Sequence, residues 1–193
     1  MNTTTPTPTP TVRNGVDTGV MFASLDAIAA TPELGAFRFR VSNRWLGGAH
    51  NRSTIQGFYG AGQEDVSRAE PFTVDAGEPA VLLGSDTGPN PAEHLLHALA
   101  ACLTTSLVYV AAARKVPLSE VESTLEGEMD VRGCLGVSDT VRNGFSRIRV
   151  TFRVSGDAPE AKLREVVERA KARSAVFDMV TNGVPVDVDV VTG

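Results

Sequence analysis

The stretch Gly88-Pro89-Asn90-Pro91-Ala92-Glu93-His94-Leu95-Leu96-His97-Ala98-Leu99-Ala100-Ala101-Cys102-Leu103 decides how this chain is read. Asn90 is a good helix N-cap, Pro91 fits the first helical position, where no N–H is needed, and Glu93 completes a variant of the capping box. The spacing predicts a helix from Pro91 to about Arg114, with Arg114 and Lys115 at its negative end and Pro117 beyond it. From Leu95 to Ala113 only His97, Thr104, Thr105 and Ser106 are polar. Length alone permits a membrane span, which needs about 20 mostly apolar residues. Two features favour a core helix and no membrane: the rest of the chain is amphipathic and wants a shared core, and Thr104-Thr105-Ser106 would set three hydroxyls near mid-bilayer. A helix apolar on most faces is what a central core helix looks like.

Working outward, period-two alternation marks strands. Phe37, Phe39 and Val41 alternate with Arg38, Arg40 and Ser42, predicting a strand over residues 36–42. Trp45 leads into a Gly47-Gly48 turn, and residues 50–59 are expected to return as a second strand. Residues 60–70 read as a loop, with short strands at 72–74 and 80–83. After the helix, Val121, Ser123, Leu125, Gly127, Met129 and Val131 share one strand face, opposite Glu120, Glu122, Thr124, Glu126, Glu128 and Asp130. A later strand sets Ile148, Val150, Phe152 and Val154 against Arg147, Arg149, Thr151 and Arg153. An acidic and a basic face invite antiparallel pairing. Residues 157–174 read as a second helix, 176–180 as a short helical turn, and Val184, Val186, Val188 and Val190 as a final strand. The class is α+β. Residues 1–20 are expected to be a disordered tail, Pro- and Thr-rich at its start, and residues 21–193 one domain.

Composition narrows the function. A net charge of −5 argues against nucleic acid as a partner, because phosphate binding needs a basic patch. The two cysteines, Cys102 and Cys134, are too few for a disulfide scaffold and form no Cys-x-x-Cys pair. With no secretory leader read at the start of the sequence, a reducing cytoplasm is the expected compartment.

Few side chains carry chemistry. Cys102 lies among Ala98, Leu99, Ala101 and Leu103 and reads either as a small core hydrophobe or as a reactive thiol. No cation lies within one helical turn of it, so an activating partner must come from another segment. Glu93 is nine residues earlier, on the opposite side of the helix and about 13 Å away along its axis; capping accounts for it. His94 and His97 share a spacing that two metal ligands can use, but not that of a zinc-protease motif, and no third ligand is evident. The glycines form neither a phosphate loop nor a dinucleotide fingerprint. No metal and no cofactor are expected. Cys134 lies in Gly133-Cys134-Leu135-Gly136, between the charged strands.

The helix from Asn90-Pro91 to Ala101-Cys102 resembles the Asn-Pro…Ala-Cys helix of the OsmC/Ohr family, the osmotically induced protein C and organic hydroperoxide resistance proteins. The order of elements agrees from about Phe37 to Val191. Asp130–Gly136 and Phe177–Pro185 look like a divergent branch. The resemblance implies an OsmC-like fold, with antiparallel sheets wrapped around long central helices in an intertwined homodimer. It also implies thiol-dependent reduction of hydroperoxides, organic ones above all, in oxidative stress defence. Cys102 matches the attacking cysteine. The resolving cysteine of the family falls on Ser174, so an external thiol reductant would resolve the sulfenic acid. The glutamate of the peroxidases falls on Ala92, and Glu93, one place later, is the candidate catalytic carboxylate. Arg52, soon after the Gly-Gly turn, is the best match to the activating arginine, with Arg40 and Arg44 as competitors. The alternative is a non-enzymatic dimeric stress protein that binds a small hydrophobic ligand.

Overall fold

The structure, a computed structural model, describes residues 11–193. The first half of the expected tail, residues 1–10, lies outside the described residues. Residues 11–20 are not tail. Strands β1 (Val12–Arg13) and β2 (Val16–Asp17) pair across Asn14-Gly15, both at positive φ, and α1 (Thr18–Ala30) follows at once. The cause is local. Asp17 caps α1, its carboxylate accepting the N–H groups of Gly19 and Val20 at 2.9 and 3.1 Å.

Two compact units account for the chain, where one domain was expected. The first holds Asp17–Leu95 with Val12; the second holds Arg13–Val16 and Leu96–Gly193. In the first, β3 (Ser42–Gly47), β4 (His50–Ile55) and β7 (Phe72–Ala76) form an antiparallel sheet in the order β3-β4-β7, and β5 (Phe58–Gly60) pairs with β6 (Gln63–Asp65). The Gly47-Gly48 turn joins β3 to β4 as expected; both glycines take positive φ, which other residues resist. The strand expected at 36–42 is displaced. Apart from Ser42, which opens β3 opposite Thr54, only Arg38 pairs there, through a single bridge to Tyr59, while Phe37 stacks on Phe39 and Phe58. The strand expected at 80–83 is a 3₁₀ turn over Ala80–Leu82, ended by Leu83 in the left-handed region. Pro79 precedes it, and Val81 and Leu83 are exposed, so the apolar run never meets a core.

In the second unit, α2 (Pro91–Ala113) continues from the first and buries Leu99, Leu103, Leu107, Ala111 and Ala112. By length and composition alone this helix is long and apolar enough to cross a membrane. In this chain its face from Leu107 to Ala111 packs into a core with Val116, Val166 and Ala170, joined by Val121, Phe152, Val154 and Leu163. β8 (Glu120–Glu128) and β9 (Arg147–Ser155) pair antiparallel as expected, in a register that sets Glu122 opposite Arg153, Glu126 opposite Arg149 and Glu128 opposite Arg147. These exposed pairs contribute ~0.2–1 kcal/mol each; the apolar inner face anchors the hairpin. Helix α3 (Glu160–Lys171) is shorter than expected, and α4 (Ala175–Asn182) follows after a break at residues 172–174. Asn14 ties the N-terminal hairpin down, donating to the Val116 carbonyl at 2.9 Å and accepting from Leu118 N–H at 3.0 Å.

The final strand is absent among the described residues. Val184, Val186, Val188 and Val190 alternate but are exposed, and no strand forms there. A period-two pattern specifies which side chains share a face; it supplies no neighbouring backbone to pair with.

Leu107 is fully buried, so Leu107→Ala is expected to cost ~2–5 kcal/mol, whereas Val66→Ala at an exposed position should stay within ~0.5 kcal/mol. Urea unfolding followed by circular dichroism checks this; equal shifts for the two variants would contradict the core described above.

Candidate functional site around Cys102

The start of α2 is set by a reciprocal capping box. Asn90 Oδ1 accepts the Glu93 N–H and Glu93 Oε2 accepts the Asn90 N–H, each at 2.8 Å. The Glu93 carboxylate is thereby engaged with backbone nine residues before Cys102, and the structure does not bring it to the thiol. His94 Nε2 lies 3.1 Å from the Asp75 carbonyl oxygen, placed to donate to it. No group of three or more His, Cys, Asp or Glu able to hold a metal occurs among the described residues.

Cys102 is half-buried midway along α2. Its neighbour is Ser174, 72 positions away and only 3 % exposed, whose hydroxyl donates to Cys102 Sγ at 3.1 Å. Sequence reasoning placed Ser174 at the end of a helix. It is instead the N-cap of α4, and its Oγ accepts the Phe177 N–H at 3.2 Å. The thiol therefore sits where a helix begins, and helix N-termini favour negative charge. Burial is the largest single influence on the Cys102 pKa and pushes it up. The Ser174 hydroxyl, the N–H groups of Val176 and Ala175 and the Ser106 hydroxyl outweigh it together, and the pKa ends below the ordinary thiol value.

Ser106, Ala175 and Val176 were not singled out from the sequence. Ser106 was legible, since it stands four residues after Cys102 on the same helical face. The two peptide N–H groups were not, because any residue supplies one.

Cys134 lies in the loop between β8 and β9. It is exposed, and its thiol lies 3.3 Å from the Val131 carbonyl. Both cysteines are free.

Arg52 belongs to the first unit, on β4, with Asp75 directly opposite on β7. Its Nε and Nη2 donate to the two Asp75 carboxylate oxygens at 2.9 and 3.1 Å, and His50 Nε2 lies 2.9 Å from the same carboxylate. Asp75 is held below the usual carboxylate range, first by Arg52 and then by His50. Arg40 is likewise engaged, making two bonds to Glu64 at 2.8 and 2.6 Å. Arg44 stands opposite Arg52 in the β3–β4 register. Asp75 went unnoticed in the sequence because its pairing depends on strand register.

The family model for OsmC-like protein matches residues 84–189, more than half of the chain, and the chain belongs to that family. No curated protein matches the chain. Among solved structures it is similar to an OsmC-like protein from Mycoplasma pneumoniae, at 14 % identity, covering 75 % of this chain and 87 % of that one, with a TM-score of 0.58. An organic hydroperoxide resistance protein OsmC from Legionella pneumophila gives 17 % identity, 75 % and 91 % coverage and a TM-score of 0.52. A protein from Aquifex aeolicus VF5 gives 16 % identity, 75 % and 87 % coverage and a TM-score of 0.51. At these identities the likeness shows the fold: α+β and OsmC-like.

The Ser174–Cys102 contact makes a direct forecast. Replacing the hydroxyl by a thiol brings two sulfur atoms to within a short closure of the ~2.05 Å disulfide bond. Ser174→Cys is expected to form an intramolecular 102–174 disulfide on mild oxidation, seen as a cross-linked peptide in non-reducing mass mapping. Oxidised Cys102 without that cross-link would contradict the contact.

Proposed function

We propose that the protein reduces hydroperoxides, organic ones above all, through Cys102 in oxidative stress defence, with an external thiol completing the cycle. The supporting observation is the environment of Cys102 Sγ: a half-buried sulfur at the N-cap of α4 that accepts the Ser174 hydroxyl hydrogen at 3.1 Å. Thiolate is the reactive form. It attacks the terminal peroxide oxygen, the O–O bond breaks, and the alkoxide leaves and takes up a proton as the alcohol. The cysteine is oxidised to sulfenic acid and the peroxide reduced. One external thiol condenses with the sulfenic acid, releasing water and forming a mixed disulfide; a second opens it, regenerating Cys102 and yielding the external disulfide. Arg52 is the cation this reading assigns to the peroxide, and Glu93 stays a helix cap.

We assign the protein to the cytoplasm, where thiol reductants are plentiful, and to a homodimer. Support for the dimer is the apolar surface one chain leaves exposed: Val20 and Leu25 on α1, Phe39, Trp45 and the C-terminal valines. Light scattering should give twice the 20.4 kDa chain mass; a compact monomer at micromolar concentration would contradict it.

A second reading, non-enzymatic binding of a small hydrophobic ligand, draws on a groove of about 470 Å³ between β9 and α3, its apolar floor of Val150, Phe152, Val154, Leu163 and Val167 bordered by Glu160, Arg164 and Glu168. Steady-state turnover of tert-butyl hydroperoxide with a monothiol reductant separates the two. The enzyme reading expects turnover that Cys102→Ser abolishes and Cys134→Ser spares. No turnover with any monothiol or dithiol, or turnover indifferent to Cys102→Ser, would overturn it.

A further inference from the structure

Ser174 makes two bonds of opposite sense. Its oxygen accepts the Phe177 N–H at 3.2 Å, which is what an N-cap does. A hydroxyl has one hydrogen to give, and here that hydrogen goes to Cys102 Sγ at 3.1 Å. Capping explains the accepted bond and is indifferent to the donated one. At 3 % exposure, bulk water does not compete for that hydrogen.

We propose that Ser174 is a positioning residue for Cys102, its hydroxyl oriented by the Phe177 N–H so that its hydrogen holds the sulfur as thiolate, ready to attack. The proposal rests on the peroxidase reading for what the thiolate attacks. A neutral thiol is a weak acceptor and a thiolate a strong one, so the bond strengthens on deprotonation. The largest influences that favour the thiolate are all uncharged: Ser174, the N–H groups of Val176 and Ala175, and Ser106. The nearest charged side chains in sequence on this segment are Arg173, just before the cap, and Asp178 in the first turn of α4, whose carboxylate accepts from the Asn182 amide at 2.7 Å.

The test is a pH titration of thiolate absorbance at 240 nm in full-length Cys134→Ser protein, with Cys134→Ser/Cys102→Ser as blank. Ser174→Ala and Ser174→Gly should raise the Cys102 midpoint by about one pH unit, the effect of one lost hydrogen bond to a charged group, and slow iodoacetamide alkylation at pH 7, by up to about tenfold. Ser174→Thr, which keeps the hydroxyl, should leave both near the parent values. Gly is included because as an N-cap it costs only a few tenths of a kcal/mol relative to Ser, so a foldable variant without the hydroxyl exists; circular dichroism verifies α-helix content. Unchanged midpoints in Ser174→Gly and Ser174→Ala, or a Ser174→Thr shift as large as theirs, would overturn the proposal. A shifted midpoint in a protein that turns over no peroxide would instead overturn the peroxidase reading.

Discussion

An apolar helix of 23 residues has to be covered, and that constraint organises the second unit. Leu107 and Ala111 on α2 meet Val166 and Ala170 on α3, while Val121, Phe152 and Val154 on the β8–β9 hairpin pack against the same core. Each fully buried Leu or Val contributes roughly 1.5–3 kcal/mol, far more than any of the exposed Glu–Arg pairs on the outer face. With Val166 and Ala170 of α3 in the core that α2 shares, the chain breaks at residues 172–174 and begins α4 at its N-cap Ser174, which sets that helix start against Cys102. The site is a consequence of the packing.

The chemistry follows from what is placed there. A thiol half-buried in an apolar helix would ordinarily have a raised pKa. Peptide N–H groups and hydroxyls reverse that direction here. The two N–H groups are fixed by the backbone and the Ser174 hydroxyl by capping, so they need no reorganisation when the sulfur ionises. Arg52 is held by a bidentate bond to Asp75 and flanked by His50, an arrangement suited to keeping a guanidinium in one orientation.

Much of this was legible in the sequence. The capping box at Asn90 and Glu93, the run of α2 and the β8–β9 pairing follow from local signals and charge alternation, and they emerged as read. Ser174 was reached by resemblance, and the structure places it on Cys102. What escaped has a common physical cause. Phe37, Phe39 and the C-terminal valines alternate as strands do, yet they lack a paired backbone among the described residues, so the pattern alone does not make a strand. Helix α1 was missed because its apolar residues, Val20, Phe22, Leu25 and Ile28, are exposed and carry no clear stripe. Asp75 and the N–H groups of Ala175 and Val176 act through register and backbone, which side-chain identity does not reveal.

The account stands on Cys102 reacting, as its thiolate, with peroxide faster than ionisation alone would allow. A thiol of pKa ~8.5 is about 3 % ionised at pH 7, so complete ionisation raises reactivity no more than about 30-fold over free cysteine. Stopped-flow measurement of the single-turnover oxidation of Cys134→Ser protein by tert-butyl hydroperoxide, across pH, separates ionisation from substrate binding. The account predicts a rate constant at pH 7 more than about 30-fold above free cysteine, falling with an apparent pKa below the ordinary thiol value. A rate no greater than that of free cysteine, with an ordinary thiol midpoint, would contradict it.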